Sequence, residues 1–391
     1  MAVRKSISSR VSAVSPSVTL GIGAMARQMA ASGRKVYSFA AGEPDFDTPE
    51  HIKLAACDAL HSGQTKYSPV PGSAELRGAI AEKLRQENGL VYDPEQIVVS
   101  DGAKHSLFNI MFALLEPGDE VIIPSPYWLS YPEMVKLAGG RPVILQCSEE
   151  DGFKMAPEQL KEAITARTRA VVINSPSNPT GLVYSPEELR ALARTAVDKS
   201  VYVISDEIYE KIIYEGAVHA SIGNFSEEIY ERTITVNGFS KSFSMTGWRL
   251  GYIAAAAEIA RAVTAMQSHS TSGANTFAQA GAVAALRSSQ ECVGEMVKSF
   301  DERRCLMHRR LESIEKLSCV LPAGAFYMFV NISRTGMRSV EFSEKLLEQA
   351  AVAAVPGVAF GRDDHVRLSY ACGKEVISAG MDAIETFLRG L

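Results

Sequence analysis

A chain of 391 residues, 46% apolar and 22% charged, has room for roughly two to three domains of ordinary soluble type and is neither disordered nor fibrous in composition. Lys and Arg number 40 against 45 Asp and Glu, so the basic surplus of a nucleic-acid binder is missing and no nucleic-acid partner is expected. No run approaches the ~18 consecutive apolar residues of a membrane span, no apolar stretch follows Arg4, Lys5 and Arg10, and the six scattered cysteines form no CxxC pair; a cytoplasmic protein with reduced, mostly buried thiols, no metal and no membrane association is expected.

In chain order, the run at residues 42–49 (Gly-Glu-Pro-Asp-Phe-Asp-Thr-Pro) is a turn-rich hinge candidate after an N-terminal arm. From residue 74 to about 255, apolar runs bounded by Gly, Pro and Ser alternate with helix-period segments, the pattern of βα units in a mostly parallel sheet. Strands are expected at 96–100, 120–124, 141–146, 170–174, 202–206, 233–237 and 250–255, several of them apolar throughout, as strands covered on both faces should be. Three- and four-residue apolar spacing places covering helices at 104–115, 128–138 and 186–198. A charged helical stretch at 298–316 is long enough to bridge two domains, and from 319 the order strand, helix, strand, strand, helix points to a smaller α+β domain. The expected division is 1–47 as arm and part of the small domain, 48–290 as the large α/β domain, and 291–391 as the C-terminal small domain.

The chemistry-bearing residues cluster where expected strands end. Lys241 sits in a small-residue loop just after a strand, with Arg249 eight positions on. A lysine amine is a poor nucleophile at its usual pKa of about 10.4, so Schiff-base chemistry needs it desolvated and near other cations. Asp206 emerges at a strand end with Tyr209 about one turn later, and a carboxylate there can keep a pyridine nitrogen protonated. Asn178 lies in a turn-rich loop after another strand, and the Ser100-Asp-Gly-Ala-Lys104 junction opens a helix whose free N–H groups and dipole suit a phosphate. Trp128 can stack on an aromatic ring. Each has an ordinary alternative: a solvated loop lysine, a helix cap for Asp206, a plain turn for Asn178, core packing for Trp128.

Taken together, the segments Ala41 to Pro49, Lys66-Tyr-Ser-Pro69, Ser125-Pro-Tyr-Trp128, Asn174-Ser-Pro176, Asn178-Pro-Thr-Gly181, Ser205-Asp-Glu-Ile-Tyr209, Ser240-Lys-Ser-Phe243, Thr246-Gly-Trp-Arg249, Gly324-Ala-Phe-Tyr327 and Val366-Arg-Leu-Ser-Tyr370 resemble the class I aminotransferases of pyridoxal-5′-phosphate (PLP) fold type I, in particular their bacterial aspartate branch. The resemblance implies that fold, with Lys241 carrying the cofactor and shuttling the α-proton, Asp206 on the pyridine nitrogen, Asn178 and Tyr209 on the phenolic oxygen, and Trp128 stacked on the ring. It implies Gly102, Ala103, Lys104, Ser240 and Arg249 around the phosphate, and Tyr67 reaching the phosphate of a neighbouring subunit, hence a homodimer with shared active sites. Arg367 would clamp the substrate α-carboxylate, Gly42 would approach the substrate through its backbone, Trp128 and Asn178 would also touch it, and Lys104 would take a distal carboxylate.

The reaction implied is amino transfer between a small amino acid, aspartate preferred, and 2-oxoglutarate, in amino acid metabolism. A PLP-dependent β-lyase, an aminotransferase for an aromatic, alanine or prephenate/arogenate partner, and a binding protein that keeps PLP as a ligand are the other readings. In Val14-Ser-Pro-Ser17 a serine, Ser15, stands where several relatives that accept prephenate carry a lysine, so prephenate is expected to be a poor substrate.

Overall fold

The structure, a computed structural model, describes residues 7–14, 18–214 and 216–390; Ser15 lies outside them. Seven strands form the larger sheet among the described residues: β1 (Ile97–Ser100), β2 (Glu120–Ser125), β3 (Arg141–Gln146), β4 (Thr168–Asn174), β5 (Tyr202–Asp206), β6 (Thr233–Gly238) and β7 (Gly251–Ala254). Their order is β1-β7-β6-β5-β4-β2-β3, parallel except for β7, which runs antiparallel to both β1 and β6. The central strands β5 to β7 are buried along nearly their whole length, their polar residues included, whereas edge strand β3 is half-exposed, so burial on two faces follows from helices on both sides.

Local chemistry sets the element ends. The helix Pro186–Asp198 falls at the predicted bounds because Ser185 accepts from Glu188 N at 3.2 Å while Glu188 accepts from Ser185 N at 2.6 Å, with Pro186 at the first helical position. The helix expected at 128–138 starts instead at Ser130, since Tyr127 N donates to Phe360 O at 3.1 Å and ties the preceding turn to the C-terminal part of the chain. The charged stretch expected at 298–316 falls mostly in the helix Glu291–Glu312, which starts earlier and ends four residues sooner.

The C-terminal sheet pairs β8 (Tyr327–Asn331) antiparallel with β9 (His365–Ser369), flanked by Ser318–Cys319 and Val355–Pro356. It has one more strand before the helix Ser339–Ala350 than the sequence order implied, because Ser318–Cys319 pairs with β8 over only two residues, too short to leave a pattern. Residues Tyr37–Ser38 pair in parallel with Val352–Ala353, and Ser369 N donates to Phe39 O at 2.8 Å, which brings the Ala40 to Gly42 backbone against β9. The run at 42–49 is tied on both sides: Thr48 Oγ1 donates to Ser244 O at 2.7 Å, and Asp45 pairs with Arg303 at 2.6 Å. All six cysteines are free, but only Cys147 is buried, so "mostly buried" was too strong: four thiols are half-buried and Cys57 is exposed. Among the described residues no helix is long and apolar enough to cross a membrane.

Candidate active site

The carboxyl ends of β1, β2, β4, β5 and β6 converge, and with β9 they enclose a cavity of about 420 Å³. Its lining includes Gly42, Ala103, Lys104, Trp128, Asn178, Asp206, Tyr209, Ser240, Lys241, Arg249 and Arg367. Gly102 is the cap of the helix that begins at Ala103. Tyr67 is not among them: it is 96% exposed and lines a surface depression with Thr65 and Asn275. The lining also holds Glu43, Tyr131, Thr246 and Tyr327, which sequence reasoning passed over.

Asp206 ends β5 in the cavity floor, buried. Its Oδ2 accepts from Tyr131 Oη at 2.6 Å and its Oδ1 from Ile208 N at 3.3 Å; the residues that follow form a turn, so Asp206 caps no helix. Burial pushes its pKa up to about 6 against the pull of these two donors. Tyr131, three residues after Trp128 and itself fully buried, keeps its hydroxyl proton because burial and the Asp206 charge both oppose its loss.

Lys241 Nζ donates to Gly42 O. Its pKa falls to about 8, chiefly by desolvation; Glu43 works the other way, and Arg367, Arg249 and Lys104 add to the fall. Glu43 is held by Thr246 Oγ1 at 2.7 Å. Gly42 is not forced by its own neighbours, since an added Cβ would meet Tyr327 Oη at an ordinary 3.6 Å.

On the opposite wall Arg367, 2% exposed, donates from Nη1 to Asn178 Oδ1 at 2.9 Å and from Nη2 to Ala40 O at 3.1 Å, while its buried Nε has no partner. Its guanidinium lies 4.4 Å from the Tyr327 ring, and Tyr327 Oη lies 2.8 Å from Tyr209 Oη. Asn178 N donates to Asn174 Oδ1 at 2.9 Å, and with its side-chain oxygen taken by Arg367 its NH₂ is the group left for an acceptor.

Between β1 and its helix the backbone is shaped to receive a compact anion. Gly102 has φ +87°, and a Cβ there would come 2.4 Å from Arg249 Nη2; a Cβ on Gly251 would come 2.2 Å from Ala103 N. The first-turn N–H groups have no intrahelical acceptor. Arg249 rests on the carbonyls of Thr246 (2.7 Å) and Asp101 (3.4 Å), and Lys104 Nζ sits 4.9 Å from the Trp128 ring centroid, its pKa lowered by burial and then by Arg249. Four cations, Lys104, Lys241, Arg249 and Arg367, thus face two carboxylates, Glu43 and Asp206, a receptor for a ligand bearing several negative groups.

Comparison with known proteins agrees. Residues 34–384 match the family described as "Aminotransferase class I and II". The chain is 47% identical to an aspartate aminotransferase of Bacillus subtilis over 387 residues, 98% of each chain, and 48% identical to a probable aspartate/prephenate aminotransferase of Aquifex aeolicus over 391 residues, 99% of each. Among solved structures it is similar to the aspartate aminotransferase of Rhizobium meliloti (TM-score 0.95, 41% identity, 99% of both chains). It is equally similar to that of Thermus thermophilus with maleate (TM-score 0.95, 45% identity, 98% of this chain and 100% of the other).

Proposed function

The chain belongs to the class I and II aminotransferases and is a PLP-dependent transaminase of fold type I; from that premise we propose that it exchanges an amino group between aspartate and 2-oxoglutarate. The observation that carries the choice is that Arg367 and Lys104 both line one cavity, two cations for the two carboxylates of a dicarboxylic substrate. Relatives named for aspartate, and a structural relative with the dicarboxylate maleate, support the same reading.

The residues fit PLP. Gly102, Ala103, Ser240 and Arg249, with Lys104 beside them, would hold its phosphate, Trp128 its ring face, Asn178 and Tyr209 its phenolic oxygen, and Asp206 its ring nitrogen. When bound, the cofactor supplies an electron sink for charge at the substrate's α-carbon. Asp206 would hold a proton on the ring nitrogen, and Tyr131 fixes that carboxylate by donating to its Oδ2. Lys241, its pKa lowered to about 8, gives up its proton far more readily than an ordinary lysine, and its amine would carry the cofactor and move the proton at the α-carbon. Arg367 grips the α-carboxylate in planar two-pronged fashion, its unpartnered Nε being one available donor.

The large domain, residues 48–290, carries the cofactor residues. Residues 1–47 and 291–391 form the small domain and arm that bring Gly42 and Arg367 to the substrate. Tyr67, exposed on the single chain, serves the phosphate of a second subunit, so the working unit is a cytoplasmic homodimer with shared sites. A panel of amino donors against 2-oxoglutarate, with pyruvate and ammonia release assayed in parallel, tests the function. Aspartate should rank first and no ammonia should appear; oxo-acid-independent ammonia release would replace amino transfer by β-elimination.

A further inference from the structure

The segment that carries Asp206 has a second face. Asp206 and Tyr209 line the cavity, whereas Glu207 and Glu210 point away from it into a buried polar network. Glu207, 1% exposed, accepts from Ser205 Oγ at 2.8 Å and Ser221 Oγ at 2.6 Å, and His219 Nε2 lies 3.0 Å from the same carboxylate. Glu210 pairs with Lys83 and accepts from Asn88 Nδ2 at 2.9 Å. Asn88 closes the circuit, accepting from Lys83 Nζ at 2.7 Å and donating to Ser221 Oγ at 2.8 Å. Asn88 is delivered by a single π-helical turn, Leu84–Asn88, an irregularity that carries a cost and so implies a use.

Two carboxylates here meet the Lys83 ammonium and the His219 imidazole, which becomes a second cation when protonated. Such a network is rigid to the extent that its members are satisfied, and the one buried side-chain atom of this cluster left without a partner is His219 Nδ1. We propose that it is a positioning device for the reaction: Glu207, held by Ser205, Ser221 and His219, fixes the Ser205-to-Glu210 backbone, and with it the carboxylate of Asp206 and the hydroxyl of Tyr209. His219 is its proton-dependent member. This rests on the role given to Asp206 above.

The ionisable groups around His219 are Glu207 and Glu210, with Lys83 behind them; the Tyr92 and Tyr252 hydroxyls and the Glu87–Lys211 pair surround those carboxylates. Burial opposes charge on His219, but the Glu207 hydrogen bond and both carboxylates outweigh it and raise its pKa. A histidine raised in the folded state contributes stability that is fully present below its ordinary pKa of about 6.5 and is lost as pH rises through the raised value.

The test compares wild type with His219→Gln, Glu207→Gln, Glu207→Ala and Asp206→Ala, as PLP-loaded enzyme for kinetics and as apoenzyme for melting between about pH 6 and pH 9. Glu207→Ala should lose roughly 10- to 50-fold in kcat with the KM for aspartate within about twofold, since Arg367 and Lys104 are untouched, and Glu207→Gln should recover part of that loss. His219→Gln should cost about fivefold in kcat and flatten the fall of apoenzyme Tm with rising pH. If Glu207→Ala does not fold, His219→Gln at the outer edge of the network decides through both readouts. Unchanged kcat in His219→Gln and Glu207→Gln, or an unaltered pH slope in His219→Gln, overturns the proposal while Asp206→Ala stays inactive. Wild-type kcat in Asp206→Ala overturns the role of Asp206 and the proposal together.

Discussion

Asp206 and Glu210 lie four residues apart on one segment, both buried, and their carboxyls are shifted in opposite directions. Asp206 is pushed up to about 6 because burial outweighs its donors, whereas Glu210 is drawn down to about 2 because Lys83, His219 and Asn88 outweigh the same burial. Lys241, on the cavity side, is likewise shifted toward its neutral form, to about 8. The cavity keeps charges short of partners and so ready for a ligand; the network behind it satisfies them internally. On this segment the direction of the shift separates the carboxylate that faces the cavity from the one that Lys83 holds.

Substitutions that remove one charge on either side should therefore change stability with opposite sign. Glu210→Gln leaves the buried Lys83 with only the exposed Glu87, 3.6 Å away, as counter-charge and should destabilise by roughly 3 kcal/mol at pH 7 in denaturant unfolding. Its contribution, from a depressed carboxylate, is present above the ordinary value near 4.5 and lost as pH falls toward 2. Asp206→Asn removes a charge that the folded state holds poorly. A carboxylate raised in the fold weakens stability progressively as pH climbs through its unfolded and folded values, so the apoenzyme should gain about 1–2 kcal/mol at pH 7 and little near pH 4. Two losses of similar size would erase the distinction.

Activity sharpens the same contrast at the other wall. Arg367→Lys keeps the charge but loses the fork and its bond to Asn178, and kcat/KM for every amino donor should fall by about 10²-fold. Lys104→Ala should be smaller and selective, costing aspartate and glutamate about tenfold more than alanine or phenylalanine in kcat/KM. Equal losses across donors would move Lys104 from the distal carboxylate to the phosphate or to folding.

Much of this was legible before any coordinates. Strand β3 and the helix Pro186–Asp198 stand at their expected bounds because an apolar run and a capping box are local signals. The cavity residues were legible because Asp206 ends a strand and Lys241 and Asn178 follow strand ends in turn-rich loops. Tyr131 and Tyr327 were hidden, since a tyrosine in a core pattern looks like packing until its hydroxyl has a partner. The network was hidden more deeply: Lys83 and Glu210 are 127 residues apart, and a π turn leaves no mark on composition. Tyr67 was legible only through the family resemblance, and one chain leaves it facing solvent.

The central claim is that Lys241 is the residue that carries the cofactor. Borohydride reduction of the PLP-loaded protein, followed by peptide mapping in a mass spectrometer, addresses it directly. The expected result is a reduced cofactor on Lys241 and nowhere else, a near-visible absorption band that shifts when an amino donor is added without oxo acid, and a Lys241→Ala variant that is neither labelled nor active. Label on another lysine, or wild-type turnover by Lys241→Ala, would contradict it.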